Sequence, residues 1–232
     1  METVIEAVNI KKSYNGLKVL KQVSIKLEKG EVVAIAGPNG CGKTTFLKIL
    51  SGIENPDSGK LYVRGKISLI PQDNLLFPWF NVRKNISLGL KFKGVKKEIQ
   101  ESKVKEISEK LGITSYLKEY PLRLSGGTAK KVAIARALVL DPDILLLDEP
   151  FAGLDIESVA TLKNSILMLK KSGISMIIVS HQLDELIEMA DRIYFFSHRP
   201  ATVKRAVDVG GLSLAEGKKL VSALLEGEGM WN

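Results

Sequence analysis

Apolar and polar side chains alternate along Thr3–Ile10 and again along Val23–Gly30, the period-two pattern of strands with one covered face. Gly30 marks a turn, and Val32–Ala36 is then apolar throughout, as in a strand buried on both faces. A glycine-rich loop follows, and Phe46, Leu47, Ile49 and Leu50 predict a helix behind it. Asn55–Gly59 is a turn cluster, and Lys60–Gln72 reads as a return to strand.

From about residue 74 to 140 the period changes to that of helices. Val104, Ile107 and Leu111 fall on one face of a helix spanning Lys96–Gly112. Glu101–Lys105 and Glu106–Lys110 are predicted i,i+4 pairs on that helix, and Gly112 is its stop. Strands and helices then alternate: a strand in Asp143–Pro150, a helix in Glu157–Gly173, a strand in Ile174–His181, a helix in Leu183–Ala190 and a strand in Arg192–Ser197. Such alternation implies an α/β fold, a parallel sheet with helices on its faces and the helical block 74–140 inserted as a subdomain. Ser213–Gly227 predicts a C-terminal helix.

Composition narrows this picture only a little. The 232 residues are 45% apolar, enough for a sizeable core, and 26% charged. The net charge of +8 is compatible with nucleic acid, an anionic membrane surface, phosphate ligands or a solvated basic face, and no Lys/Arg run exceeds two residues. The single cysteine, Cys41, rules out an internal disulfide and suits a reducing compartment. The first residues are not a secretory signal, and no apolar stretch reaches the roughly 18–20 residues needed to span a bilayer. The expectation is a chain soluble by itself that can still serve a membrane-embedded partner.

The chemistry begins in the loop. Gly37, Pro38, Asn39, Gly40, Cys41, Gly42, Lys43, Thr44 and Thr45 fit G-x-x-x-x-G-K-[ST] between a buried strand and a helix, the setting this motif requires. The glycines let backbone N–H groups curl around phosphate oxygens, and the helix N-terminus adds partial positive charge. Lys43 reaches the β- and γ-phosphates, and the Thr44 hydroxyl is a ligand for Mg²⁺, an ion that takes few protein ligands. Cys41 is either simply a small side chain in the loop or a redox thiol. Asp148 and Glu149 end the apolar run Ile144–Leu147, at the strand edge where open α/β sheets bind ligands. Asp148 is placed to hold the Mg²⁺ shell and Glu149 to polarise an attacking water. Together these residues define a P-loop nucleotide-binding protein.

One stretch goes further. In Leu122–Leu138, Ser125 is an N-cap and Gly126 and Gly127 open a helix with bare backbone, so a second phosphate can approach its N-terminus. A chain with two phosphate sites fits an arrangement in which two chains share nucleotides, each supplying half of each site.

Leu124–Gly127 resembles the signature motif of the ATP-binding subunits of ABC transporters, and the other motifs of that family follow in order over nearly the whole chain. Tyr14 matches the aromatic that stacks on adenine. Gln72 matches the Q-loop glutamine, which contacts Mg²⁺ and the transmembrane partner. Asp155 closes a D-loop, and His181 matches the switch histidine. The resemblance implies a P-loop NTPase with a mainly parallel sheet, an N-terminal antiparallel β part within residues 1–73, the helical subdomain 74–140, and the rest of the core in 141–232. It implies ATP and Mg²⁺ as ligands. Lys43, Thr44, Gln72 and Asp148 of one chain hold the triphosphate, and Ser125 and Gly127 of a second copy close on the γ-phosphate. Glu149 activates water, and His181 steadies it. Integral-membrane permease subunits, and indirectly a substrate-binding protein, are the implied partners; nucleic acid is not. The implied location is the cytoplasmic face of the membrane.

Two departures stand out. The signature usually ends in glutamine and continues with glutamine and arginine; here Thr128, Ala129, Lys130 and Lys131 occupy those places. The stretch from Asn55–Gly59 to Gln72 is short, which implies a trimmed antiparallel sheet. Pro71–Leu90 is similar to the nitrate, sulfonate and taurine importers and to importers of thiamine precursors, as is the Arg199–Pro200 pair after the last predicted strand. The apolar Leu75–Trp79 segment is either a docking patch for the permease or a buried anchor of its loop. The alternative to an importer is an ABC ATPase with a non-transport task, in lipid release, cell division or work on nucleic acid or ribosomes.

Overall fold

The computed structural model describes residues 2–226. Strands β1 (Thr3–Tyr14), β2 (Leu17–Glu28) and β3 (Val32–Ala36) lead to helix α1 (Lys43–Leu50), then β4 (Ser58–Val63) and β5 (Ile67–Ile70). Helices α2 (Val82–Phe92), α3 (Lys97–Lys110) and α4 (Gly126–Leu138) follow. The chain continues through β6 (Ile144–Asp148), α5 (Ile156–Lys171), β7 (Ser175–Val179), α6 (Leu183–Met189), β8 (Arg192–Phe196), β9 (Val203–Asp208) and α7 (Leu214–Glu226). Gly227, the last residue of the predicted C-terminal helix, lies outside the described residues.

The main sheet has the order β5-β6-β7-β3-β8-β9. Its first five strands run parallel, and β9 pairs antiparallel to β8. A second, antiparallel sheet has the order β2-β1-β4. The chain therefore has the mainly parallel, helix-flanked α/β fold of a P-loop NTPase with an antiparallel part at its N-terminus.

The wholly apolar strands are explained by what lies on each side of them. Val32, Ala34 and Ala36 of β3, Leu145 and Leu147 of β6, and Met176 and Ile178 of β7 point into a core shared with α2–α7. Their alternates Val33, Ile35, Ile144, Leu146, Ile177 and Val179 point into a second core with α1 and the antiparallel sheet. A strand buried on both faces has no position left for polar side chains.

Three expectations need correction. Lys60–Gln72 is not one strand: β4 belongs to the antiparallel sheet and β5 to the edge of the main sheet. The chain crosses between them at Gly65, at φ 108°, where a Cβ would lie 2.8 Å from the Asp143 side chain. The Asp143 carboxylate accepts from Lys66 N at 2.7 Å and fixes the crossing. Second, β9 was not expected; as an edge strand carrying Lys204, Arg205 and Asp208 it shows little apolar patterning. Third, the ion pairs along α3 are Lys97–Glu101 and Lys105–Glu109, which run from lysine to glutamate along the helix, in place of the expected Glu101–Lys105 and Glu106–Lys110. Val104, Ile107 and Leu111 are buried as expected, and Gly112 ends the helix at φ 66°.

Candidate nucleotide-binding site

Three neighbouring parallel strands, β3, β7 and β6, end at the same edge of the sheet and deliver the loop 37–45, His181 and the pair Asp148–Glu149. In the loop, Gly42 has φ 121°, and a Cβ there would lie 2.8 Å from Val19 Cγ1, so the residue is glycine for both conformational and steric reasons. Lys43 is buried, and its Nζ donates to the carbonyls of Gly37 at 2.7 Å and Pro38 at 3.2 Å. It also lies 3.9 Å from Glu149 Oε1. The loop thus folds its own cation inward, next to the carboxylate at the end of β6.

Glu149 adopts a left-handed φ of 44°, uncommon for a side chain of its size. Its N–H donates to Val179 O at 2.8 Å, which anchors the turn to the end of β7. Its Oε2 lies 2.9 Å from Nδ1 of His181. Asp148 is buried beneath, and its Oδ1 has no hydrogen-bond partner. Burial pushes the Asp148 carboxyl up and the charge of Glu149 adds to this, while the Thr44 hydroxyl, Lys43 and Lys130 pull it down. An orphaned buried carboxylate oxygen beside a hydroxyl fits a hard divalent cation such as Mg²⁺, which supplies what the oxygen lacks.

These groups open into a cleft of about 570 Å³ lined by Tyr14, Gly40, Lys43, Thr44, Gln72, Glu149 and His181, among others. Tyr14 ends β1 and is partly exposed, with Lys12 Nζ 5.1 Å from its ring centroid. Asn39, Gly42 and Thr45 also line the cleft, whereas Gly37 and Pro38 border an adjoining hollow together with His181. The Cys41 side chain points the other way, into the second core. Burial pushes its thiol up, the condition of an inert packing thiol rather than a reactive one.

Ser125, Gly127 and Asp155 are elsewhere. They line a separate hollow of about 420 Å³ with Thr128, Lys131 and Ser158. Ser125 caps α4 by accepting from Thr128 N at 3.2 Å, and its hydroxyl donates to Thr128 Oγ1 at 3.0 Å. Asp155 caps α5 through Ser158 N and Oγ at 2.9 and 2.8 Å, and these bonds hold its carboxyl below the usual range. The glycines also have a reason inside the chain: a Cβ on Gly127 would lie 2.8 Å from Ser158 Cβ, and one on Gly126 3.0 Å from Leu154 Cδ2. Bare backbone there lets α4 sit against the start of α5.

Two residues at the site were named in the sequence only as pattern positions, not as site residues. Arg199 lines the nucleotide cleft. Lys130 is buried at 3% exposure on the same face of α4 as Ala133 and Ile134, and a lysine on such a stripe is the signal that could have marked it. The Leu75–Trp79 segment combines both readings given to it: Leu76 packs against the first core, whereas Leu75 and Trp79 are exposed. Leu75 and Phe77 line a largely apolar groove of about 440 Å³ with Leu88, Phe92 and Leu140.

Fold and cleft define a P-loop nucleotide-binding protein. The model of the ABC transporter family matches residues 20–152. The aliphatic sulfonates import ATP-binding protein SsuB of Bacillus cereus is 38% identical over 201 residues, covering 83% of this chain and 79% of the relative. The spermidine/putrescine import ATP-binding protein PotA of Mycoplasma capricolum is 40% identical over 203 residues, covering 82% of this chain; the alignment spans 58% of that longer relative. A solved dimeric structure of a bacterial ABC transporter cassette superposes with a TM-score of 0.80 at 27% identity, covering 90% of this chain and 100% of that one. The chain belongs to the ABC transporter family.

Proposed function

We propose that this chain is the ATP-binding and ATP-hydrolysing subunit of an ABC importer, working as a head-to-tail pair of identical copies on the cytoplasmic face of a membrane. The observation that carries this reading is the division of the site. The cleft with Lys43, Glu149 and His181 shares no lining residue with the hollow that holds Ser125, Gly127 and Asp155. A complete phosphate site therefore needs the hollow of a second copy to face the cleft of the first, and the existence of a dimeric cassette with the same fold supports a pair of copies.

Tyr14 stacks on the base of bound ATP, and the loop N–H groups hold the β- and γ-phosphates. Lys43 leaves the carbonyls of Gly37 and Pro38 for the triphosphate oxygens, which also frees Glu149 from its neighbouring charge. Thr44, Asp148 and Gln72 would hold Mg²⁺, whose charge stabilises the phosphate oxygens. Ser125 and Gly127 of the second copy cap the γ-phosphate from the opposite side. Glu149 accepts the proton of a water whose oxygen bonds to the γ-phosphorus as the bond to the bridging oxygen breaks, leaving ADP and inorganic phosphate. An ionised carboxylate only accepts hydrogen bonds, so His181 Nδ1 carries the hydrogen toward Glu149, and the ring fixes where that carboxylate points. Catalysis is mainly positioning and charge stabilisation.

The groove lined by Leu75, Phe77 and Phe92 suits an apolar element of a permease subunit. Among the described residues no helix is long and apolar enough to cross a membrane, which suits a subunit that borrows its membrane path from such partners. Cargo is read by the permease and a substrate-binding protein. Relatives of similar identity are named for an anionic sulfonate and a cationic polyamine, so this subunit is not what selects between them. The Pro71–Leu90 and Arg199–Pro200 patterns favour a small solute of the nitrate, sulfonate, taurine or thiamine-precursor type.

The test is capture of tagged Glu149→Gln with ATP from its native membrane. Co-purification of a small multi-span permease supports the assignment. Recovery of ribosomes, nucleic acid or soluble proteins alone overturns it.

A further inference from the structure

The loop after β5 is held to its surroundings chiefly through side chains of two helices. Lys130 of α4 donates from Nζ to the carbonyl of Gln72 at 2.6 Å and approaches that of Pro71 at 3.4 Å. Further along the same helix, Arg136 donates to the carbonyls of Leu75 at 2.7 Å and Asn74 at 2.9 Å. Asn85 of α2 accepts from Phe77 N at 2.8 Å and donates to the carbonyls of Phe77, Phe80 and Asn81.

Lys130 is the unusual member. It stands where the family pattern is rich in glutamine and arginine, and it is almost completely buried. Burying an ammonium is costly unless partners replace its water. Here the partners are two carbonyls of the loop and, at longer range, the carboxylates of Asp73 and Asp148. An apolar side chain would fill the space at lower cost but would leave the Gln72 carbonyl without its donor.

The position of Lys130 along the helix gives the contact a mechanical meaning. Ser125 caps α4, and Lys130 lies five residues along it, about 7.5 Å up the axis. A helix this short moves as a rigid rod. Whatever Ser125 meets at its end is therefore felt at the backbone of Gln72, and Gln72 lines the cleft with Lys43 and Glu149.

We propose that Lys130 is a positioning residue for ATP hydrolysis, tethering Gln72 to the helix that presents Ser125. When Ser125 of one copy closes on the nucleotide of the other, α4 carries its own copy's Gln72 along, so engagement at one site sets the geometry of the neighbouring one. Lys130 acts only through Gln72 and touches neither nucleotide. The inference rests on the function proposed above, which gives Gln72 its place at the phosphates.

The test is a double-mutant cycle in the full chain, combining Lys130→Met with Gln72→Ala. It reads kcat and KM for ATP, with nucleotide affinity and melting midpoint measured alongside. The expected result is that Lys130→Met lowers kcat about tenfold while KM stays within about twofold, the signature of misplacement rather than lost binding. In the Gln72→Ala background the same substitution costs nothing more. Lys130→Gln keeps a donor on a shorter stem and falls between parent and Lys130→Met; it closes the same cycle if the methionine variant does not fold. Parent kcat in Lys130→Met, or losses that multiply in the double variant, overturns the tether. So does a loss that follows ATP affinity or melting midpoint and is not relieved in Lys130→Gln. Parent kcat in Gln72→Ala overturns instead the reading of Gln72 on which the tether depends.

Discussion

Nδ1 of His181 lies 2.9 Å from Oε2 of Glu149, so the ends of β7 and β6 are joined by a side-chain hydrogen bond across the floor of the nucleotide cleft. Glu149 is nearly buried and takes a left-handed φ of 44°, with the Lys43 ammonium 3.9 Å from its other carboxylate oxygen. Replacing Glu149 by Gln removes the proton acceptor and keeps the shape, so steady-state ATP hydrolysis should fall by about 10²–10⁴-fold while ATP binding persists.

His181→Ala leaves the Glu149 carboxylate without its partner. Its kcat should fall by about 10²-fold through misplacement of that carboxylate. In a Glu149→Gln background the same change should add far less, because the two residues act as one unit. Single-turnover assays on the two single variants and the double variant measure this directly.

The small residues at the start of α4 make a prediction about stability. A methyl group on Gly127 would lie 2.8 Å from Ser158 Cβ. Gly127→Ala should therefore lower stability by about 1–3 kcal/mol through overpacking between α4 and α5. Ser158→Gly should return part of that loss in the double variant, in spite of its own helix penalty. Denaturant titration of the four proteins tests this, and additive losses would contradict the close packing.

Cys41 is 1% exposed, and burial pushes its thiol up, so the reactive thiolate is scarce at neutral pH. Alkylation by iodoacetamide at pH 7 should be slower in the native chain than in denaturant by on the order of a hundredfold. Mass spectrometry of the time course decides the matter, and equal rates would show that the loop is open.

The strands that build the site were legible because each is apolar on both faces: Val32–Ala36, Ile144–Leu147 and Met176–Val179 have no exposed side to carry polar residues. The phosphate loop and the pair Asp148–Glu149 were legible because their chemistry depends on residues adjacent in sequence. What escaped depends on contacts between distant segments. Gly127 is small partly because Ser158 is there, 31 positions later. The burial of Lys130 escaped because its partners, the carbonyls of Pro71 and Gln72, are backbone atoms and leave no trace in residue type. The split of Lys60–Gln72 between two sheets hangs on Asp143, far downstream. β9 is an edge strand with one fully buried position, Val207, so its period is masked by charge.

In the proposed function, the cleft and the Ser125 hollow complete each other only between two copies. Sedimentation velocity of Glu149→Gln, with and without ATP and Mg²⁺, tests it most directly. A monomer that becomes a dimer on adding ATP, and that stays monomeric when Ser125 is also changed to Arg, is the predicted result. A Glu149→Gln chain that binds ATP and remains a monomer at all concentrations, or a dimer indifferent to ATP and to Ser125, would contradict the account.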